Sequence, residues 1–179
     1  VVGFCGIEGA HGYFAAKSAG NTVRSFSSFH SVAAAVESGE IARGVLPIEN
    51  TTSGSVLEVY DVLGESSLYI VGEIIMPVTH CLLGLGDMGD IKSVCSHPQA
   101  LAQCDGFLNS KGYKRIQSVN TAVAAKECKE KGDITSGVIA SRMCGELYGL
   151  NILKEGIEDR KGNKTRFIVI SRNREDSAA

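Results

Sequence analysis

Short apolar segments alternate with amphipathic ones along most of the chain. Apolar runs rich in β-branched residues, such as Val1–Cys5, Ala42–Ile48 and Gly137–Ala140, predict buried strands. Between such runs, apolar residues recur at helical spacing, as Val32 and Val36 do. Strands that alternate with helices over connections of ordinary length predict an α/β fold with largely parallel sheets.

One β-rich segment is longer than the others. It covers Leu68–Val78 and runs on into His80–Leu83. Such a length suits a strand that crosses from one lobe to another, and the segment Leu150–Gly156 then returns toward the first lobe. The 179 residues fit one domain of ordinary size or two small lobes.

Three polar runs lie at the ends of predicted strands, at residues 49–55, 96–103 and 163–167. Ligands of open α/β sheets bind outside the carboxyl ends of the strands. The first run has six side chains that can form hydrogen bonds, whereas a tight turn with a helix cap needs one Ser or Thr. A plain turn and a ligand site both remain open for this run.

The second polar run contains a helix-capping pattern. Ser96 and Gln99 match a capping box, which predicts a helix from Ser96 to about Ser110. Gln103 shares one helix face with both residues, and capping does not require it. We therefore interpret Gln103 as a candidate substrate contact.

The third run combines a hydroxyl, a cation and an aromatic ring at the entry to a strand. These groups belong to Thr165, Arg166 and Phe167, and the apolar run Ile168–Ile170 follows them. Taken by itself, this motif is explained by the start of an ordinary strand. Together with the two other polar runs, it becomes a candidate site.

Composition and charge exclude several classes of protein. Hydrophobic residues make up 44% of the chain and the net charge is −2, which predicts a soluble globular protein without a nucleic-acid or membrane partner. No apolar run reaches the length of a membrane-spanning helix.

The six cysteines show neither Cys-x-x-Cys nor zinc-site spacing, so we expect no metal and reduced thiols in a cytoplasmic protein. His30 and His80 are interpreted as core or surface residues.

A glycine-rich turn follows the first predicted strand. The spacing Gly6-x-x-Gly9-x-x-Gly12 does not match a dinucleotide-binding loop, and a Walker A loop is also absent from it. A helix is predicted from about Tyr13, and the N–H groups at its start, near Gly9, Ala10 and His11, are a candidate anion loop. Together the candidate groups suit a polar, anionic small molecule and a reaction that needs one proton donor and careful positioning.

Four motifs taken together resemble those of the prephenate dehydratase family. They are Gly44–Val56, Ser96–Cys104, Leu147–Leu150 and Asn163–Phe167, in that order along the chain. Each motif alone is weak, but four in the right order are specific. The resemblance extends from the first residue to about Arg172.

The resemblance implies two α/β lobes in the manner of type 2 periplasmic binding proteins, with the active site in the cleft between them. Lobe 1 would comprise residues 1–76 plus 159–179, and lobe 2 residues 77–158. The implied reaction is the decarboxylating dehydration of prephenate to phenylpyruvate in phenylalanine biosynthesis, and it needs no cofactor or metal.

The resemblance also implies roles for individual residues. Thr165 matches the hydroxyl that would assist departure of the C4 hydroxyl of prephenate. A threonine hydroxyl is a very poor acid, so it must donate a hydrogen bond in a concerted step or relay a proton. Arg166 would serve the substrate carboxylates or a structural ion pair, and packing is the favoured alternative for Phe167. The substrate-binding residues expected in this way are Glu49, Asn50, Thr52, Ser96, Gln103, Arg166 and Phe167.

The chain departs from the family pattern in its first loop and at its ends. Glu8, His11 and Gly12 stand where the family usually has Pro, an aromatic residue and Ser, and the last change would remove a capping hydroxyl. The chain begins inside an apolar run, so we expect a piece of a longer protein, with a fused chorismate mutase domain as one expected context. The family's C-terminal ACT regulatory domain does not follow Arg172, so we expect no sensing of phenylalanine by this chain. Family members commonly self-associate, which makes a homo-oligomer an expectation.

Two alternatives remain open at this point. An arogenate dehydratase would perform the same chemistry on the aminated substrate with the same motifs. A non-catalytic pair of lobes that binds a small anion would also use polar side chains at strand ends. A nucleotide enzyme is disfavoured by the spacing of the first glycine loop.

Overall fold

The computed structural model describes residues 1–176 of the chain. The predicted extension of lobe 1 to residue 179 therefore includes three residues outside the described part. The chain divides into two compact units: Val1–Pro77 with the segment from Asn163 onward, and Val78–Gly162. Each unit has its own sheet and its own helices, so both are α/β, as the sequence predicts.

Within residues 1–176, the first unit holds one sheet of six strands and three helices. Its elements are β1 (Val2–Cys5), α1 (His11–Ala19), β2 (Val23–Phe26), α2 (Phe29–Ser38), β3 (Arg43–Asn50), β4 (Gly54–Ser55), α3 (Leu57–Glu65), β5 (Tyr69–Pro77) and β11 (Lys164–Ser171). The strand order is β2-β1-β3-β11-β5, and β4 pairs with β3.

Strand β11 occupies a central place in this sheet. It runs antiparallel to β3 on one side and to β5 on the other. Its side chains alternate between two helix layers, as strand geometry requires. Ile168 and Ile170 pack with the buried faces of α2 and α3, while Phe167 and Val169 pack with α1. Each such buried side chain contributes roughly 1.5–3 kcal/mol, so the strand that carries Thr165 is firmly held.

The second unit holds one sheet of five strands and four helices. Its elements are β6 (Cys81–Gly84), β7 (Ser93–Ser96), α4 (Pro98–Gln103), α5 (Asp105–Lys111), β8 (Lys114–Gln117), α6 (Thr121–Lys131), β9 (Ser136–Ala140), α7 (Arg142–Tyr148) and β10 (Asn151–Lys154). The strand order is β10-β6-β9-β7-β8. One core cluster joins Leu82 and Val94 of the sheet to Leu101 and Leu108 of α4 and α5.

The expectation of largely parallel sheets is wrong. β1 pairs in parallel with β2 and β3, and β7 pairs in parallel with β8 and β9. However, β11 is antiparallel to both neighbours, and β6 is antiparallel to β9 and β10. The strands that break the parallel pattern lie next to the places where the chain passes from one unit to the other. The long segment predicted as one crossing strand is two strands, β5 and β6, in different units.

The prediction of a helix from Ser96 to about Ser110 is also wrong, both in where the helix starts and in how long it is. Ser96 is the last residue of β7, and the N-cap of α4 is His97, whose Nδ1 accepts a hydrogen bond from the Gln99 N–H at 3.1 Å. The predicted capping box is therefore absent. The helix also breaks at Cys104, which separates α4 from α5. Two other helices do have side-chain caps, because Ser28 caps α2 in a capping box with Ser31 and Asn120 caps α6.

All six cysteines are free thiols. Burial raises the pKa of both Cys104 and Cys144 to about 12, and each side chain is fully shielded from solvent. No helix within residues 1–176 is both long enough and apolar enough to cross a membrane.

The buried thiols lead to a prediction about chemical labelling. Thiolates are the reactive form of cysteine, so we expect Cys104 and Cys144 to stay unmodified by iodoacetamide at about pH 8 while the protein is folded. Cys5 and Cys95 are only partly buried and should react first. Mass spectrometry of peptides would locate the label, and a sample in denaturant, where all six should react, is the control. Equal labelling of Cys104 and Cys5 in the folded protein would contradict the described core.

Candidate active site

Thr165 and Asn50 are directly opposite each other on neighbouring strands. Thr165 pairs with Asn50 in the antiparallel ladder between β11 and β3. The side chain of Asn50 reaches across, and its Nδ2 donates a hydrogen bond to Thr165 Oγ1 at 2.9 Å. Both residues are half-buried. The sequence placed Asn50 in a loop, whereas it is the last residue of β3, and this position brings the two predicted site residues together.

The orientation of the Asn50 amide is fixed by the chain that follows it. Its Oδ1 accepts hydrogen bonds from the Thr52 N–H at 2.9 Å, the Ser53 N–H at 3.0 Å and the Ser53 hydroxyl at 3.1 Å. This is a turn in which an Asn side chain replaces a backbone acceptor. Because three donors face the oxygen, the NH₂ group must face Thr165. Thr52 contributes its backbone N–H to this arrangement.

Thr51, which the sequence pattern did not single out, ties the same turn to β11. Its N–H and its hydroxyl both donate to the Lys164 carbonyl, at 2.9 and 3.1 Å, and the hydroxyl also accepts from the Lys164 N–H at 3.2 Å. Lys164 directly precedes Thr165. The surplus of polar side chains in this run of the sequence is the signal that could have found Thr51.

The contact between Asn50 and Thr165 has a chemical consequence. An amide N–H can only donate, so it occupies a lone pair of the Thr165 oxygen. The hydroxyl proton is then left to donate to another acceptor. The arrangement also polarises the O–H bond in the direction that assists donation.

Arg166 lies on the opposite side of β11 from Thr165, because successive side chains of a strand alternate. Its guanidinium contacts two carboxylates, Glu49 at 3.0 Å and Glu73 at 3.5 Å. All three side chains are close to half exposed, so each pair contributes at most about 1 kcal/mol. Two roles were left open for Arg166, binding of the substrate carboxylates and a structural ion pair. The described contacts of its guanidinium are ion pairs. The Arg166 Nε atom is buried and has no partner within residues 1–176. Phe167 is 2% exposed and lies in the core, in line with packing.

The candidate anion loop precedes α1. This helix begins at His11, two residues earlier than predicted, and its N-cap is Ala10, which makes no side-chain capping bond. Gly9 has a φ of 90°, a conformation that favours glycine. Gly12 is already inside the helix, so the expected loss of a capping hydroxyl at Gly12 is wrong.

In the second unit, Ser96 is fully buried. Its exposed fraction is 0%, and its hydroxyl donates to the Ile139 carbonyl of β9 at 2.6 Å. This geometry leaves Ser96 no exposed surface for direct contact with a ligand. Its described contact instead joins β7 to β9.

Gln103, at the end of α4, is half-buried and has an unexpected partner. Its Oε1 lies 2.6 Å from Nε2 of His80, which the sequence pattern indicated as a core or surface residue. His80 is 4% exposed and directly precedes β6. No periodic signal in the sequence could have indicated this pair, because 23 positions separate the two residues.

A buried carboxylate supports the same part of the second unit. Glu158 is 8% exposed, and it accepts hydrogen bonds from the His80 N–H at 3.0 Å and from the Lys161 ammonium at 2.9 Å. Burial by itself raises the pKa of the Glu158 carboxyl. These two hydrogen bonds, a third from the Glu158 backbone N–H and the positive charge of Lys161 together outweigh burial and hold the pKa below its ordinary value of 4.5.

The lowered pKa of Glu158 predicts a loss of stability in acid. The stabilisation is present above about pH 4.5 and is lost as the pH falls through the lower pKa of the folded state. We expect Glu158→Gln to cost about 1–2 kcal/mol near neutral pH and to flatten the acid dependence of the unfolding free energy. Urea unfolding from about pH 3 to about pH 6 measures this, with the exposed Glu130→Gln as the matched control. Parallel curves for wild type and Glu158→Gln would refute the assigned role.

Comparisons with known proteins place these features in a family. A family model described as prephenate dehydratase matches residues 2–175. The Arabidopsis thaliana protein named arogenate dehydratase/prephenate dehydratase 1, chloroplastic, is 42% identical over 96% of this chain and 45% of its own length. The bifunctional chorismate mutase/prephenate dehydratase of Enterobacter agglomerans is 36% identical over 96% of this chain and 46% of its own length. The chain therefore spans about half the length of the curated relatives it matches.

A solved structure supports the fold independently. The protein GqqA, described as a novel type of quorum quenching acylase, superposes with a TM-score of 0.86 at 35% identity, over 96% of this chain and 64% of that one. The four motifs, including the paired Asn50 and Thr165, lie within the residues that the family model matches. The chain belongs to the prephenate dehydratase family.

Proposed function

We propose that this chain carries the catalytic activity of a prephenate dehydratase, the conversion of prephenate to phenylpyruvate in phenylalanine biosynthesis. The observation that carries the proposal is the hydrogen bond from Asn50 Nδ2 to Thr165 Oγ1, which leaves the hydroxyl proton of Thr165 to donate. Membership of the family supports the same conclusion.

The reaction breaks two bonds of prephenate. The ring carboxylate leaves as carbon dioxide, and its electron pair enters the ring. The C4–O bond also breaks, and its electron pair leaves with the oxygen as hydroxide. This hydroxide takes a proton to form water. Formation of the aromatic ring supplies the driving force, so the protein needs to orient the substrate and stabilise the leaving oxygen.

Thr165 supplies that stabilisation in our proposal. Its hydroxyl donates a hydrogen bond to the C4 oxygen as negative charge develops there, and a proton from solvent completes the water molecule. The hydroxyl is not a strong acid, so its contribution is that of a positioned donor. Asn50 cannot remove a proton from Thr165, because its NH₂ group has no acceptor capacity.

Other predicted residues enter the proposal with different roles. We propose that Gln103 binds the substrate through its amide. Ser96 supports the sheet that carries α4, since its hydroxyl is committed to the Ile139 carbonyl. The N–H groups near Gly9, Ala10 and His11 remain proposed anion donors. Glu49 acts through Arg166, with which it forms an ion pair.

The test of this proposal is the formation of phenylpyruvate from prephenate at neutral pH. Acid alone aromatises prephenate, so a blank without protein is required. We expect turnover well above the blank. A folded protein that binds prephenate without converting it would instead favour a small-anion binding protein.

Arogenate is a second candidate substrate, because the Arabidopsis relative carries both activities in its name. The side chain of arogenate has an ammonium group where prephenate has a keto group. The two substrates therefore differ at a site distant from the C4 oxygen, and Thr165 would serve both. The ratio of kcat/KM for the two substrates, measured side by side, decides between them.

GqqA is described as an acylase. An acylase activity requires a different site. It needs an activated nucleophile or a bound metal. Burial is the largest cause that raises the pKa of each of the six thiols. Thr165 is hydrogen-bonded to an amide and not to a base. Neither the thiols nor Thr165 therefore show the activation that a nucleophile of an acylase needs.

The context of the full-length protein is also proposed. A fused chorismate mutase is one proposed partner, because the Enterobacter relative is bifunctional by name. Self-association and a cytoplasmic location complete the proposal, and free cysteines are compatible with a reducing compartment. Size-exclusion chromatography with light scattering would measure the oligomeric state.

A further inference from the structure

His80 and Gln103 form a short side-chain contact inside the second unit. The imidazole Nε2 lies 2.6 Å from the carboxamide Oε1. The backbones of both residues are held as well. The His80 N–H donates to Glu158, and the Gln103 carbonyl accepts from the Asp159 N–H at 2.8 Å. Both side chains therefore extend from fixed points.

The other ring nitrogen determines which tautomer of His80 fits this contact. Nδ1 is buried and has no hydrogen-bond partner within residues 1–176. A buried N–H without a partner is rarer in proteins than an acceptor without one. The favoured arrangement thus places the hydrogen on Nε2, which donates to Gln103 Oε1, and leaves Nδ1 as the bare acceptor.

This tautomer fixes the orientation of the Gln103 amide. The oxygen faces His80, so the NH₂ group faces away from it. Within the described chain, that NH₂ group has no hydrogen-bond partner. Gln103 is only half-buried, so its two N–H donors can reach a ligand. A flipped amide would offer an oxygen instead, which repels an anion.

We propose that His80 is a positioning residue, which holds the Gln103 amide so that its NH₂ group donates to a carboxylate or carbonyl oxygen of the anionic substrate. This inference rests on the proposed function and deepens it. Packing of His80 in the core does not by itself require a 2.6 Å contact with a half-exposed amide.

Two substitutions of His80 separate positioning from packing. The amide nitrogen of a Gln side chain reaches approximately the place of Nε2 in histidine, whereas that of Asn reaches only the place of Nδ1. His80→Gln therefore keeps a donor for Gln103 Oε1, and His80→Asn removes it. Both replacements are neutral amides, so a packing role would give similar KM values for the two. The larger cavity left by the shorter Asn would lower stability and would not by itself change KM.

The first readout is independent of activity. Nitrogen-15 NMR of wild type is expected to show His80 protonated on Nε2 and not on Nδ1 in the neutral ring. The side-chain NH₂ signals of Gln103 should be retained in His80→Gln and shift in His80→Asn. A ring protonated on Nδ1 alone would overturn the proposal, even if His80→Asn failed to fold.

The second readout is kinetic. We expect His80→Asn to raise KM for prephenate about tenfold with little change in kcat, the size of one lost hydrogen bond to a charged group. His80→Gln should stay within about threefold of wild type. Equal KM values for the two folded variants would overturn the inference. If wild type fails to convert prephenate, the proposed function fails, and the NMR result still decides whether His80 orients Gln103.

Discussion

Replacing Thr165 with valine is expected to lower kcat for prephenate by a factor of about 10²–10³, with little change in KM. Valine has nearly the shape of threonine and favours strands, so β11 should keep its packing. The lost group is the hydroxyl that donates to the leaving oxygen. Steady-state formation of phenylpyruvate at neutral pH, with a blank for spontaneous conversion, measures the effect.

Thr165→Ser is the matched control for this prediction. Serine keeps the hydroxyl and loses only a methyl group, so we expect kcat within about tenfold of wild type. Circular dichroism and thermal unfolding would establish that both variants are folded. Equal activity of the valine and serine variants would show that the hydroxyl has no part in the reaction.

Replacing Asn50 with aspartate is the second substitution with a large expected effect. A carboxylate can still accept from the Thr52 and Ser53 N–H groups, so the turn should persist. However, it has no N–H for Thr165, and the Thr165 hydroxyl would donate to it instead of to the substrate. It also adds negative charge near an anionic substrate, which should raise KM and leave kcat to report on the hydrogen bond to Thr165. We expect kcat/KM to fall by about 10³.

Two further measurements make the Asn50→Asp result specific. Lowering the pH toward about 5 should restore part of the activity relative to wild type, because a protonated carboxyl can donate again. Ser53→Ala removes one donor to Asn50 Oδ1, leaves its NH₂ group in place, and should change kcat by less than about threefold. Unchanged activity in Asn50→Asp would contradict the proposed hydrogen-bond direction.

The alternation of strands and helices was predictable from the sequence, because periodicity is set by local geometry. The capping pattern was less reliable. Ser96 and Gln99 satisfy the rule for a capping box, yet His97 caps the helix with its ring nitrogen, and Ser96 ends the preceding strand. A shift of one residue moved Ser96 from a proposed ligand surface into the core.

The sequence singled out two residues of the candidate site without indicating their contact. Thr165 and Asn50 were both identified, but only the register of β11 against β3 shows that they are partners, and register is a long-range property. The contact of His80 with Gln103 is also long-range and leaves no mark in the local pattern. The order of the strands was not predicted for the same reason. β11 pairs within a sheet whose other strands lie almost ninety positions or more before it in the chain.

The measurement that tests the central claim most directly is a double-mutant cycle between Asn50 and Thr165. It compares kcat for prephenate in wild type, Asn50→Asp, Thr165→Val and the double variant. Because Asn50 acts through the Thr165 hydroxyl, we predict that the double variant has the kcat of Thr165→Val alone, within about threefold. Effects on kcat that multiply in the double variant would contradict the account, since they would mean that the two residues act independently.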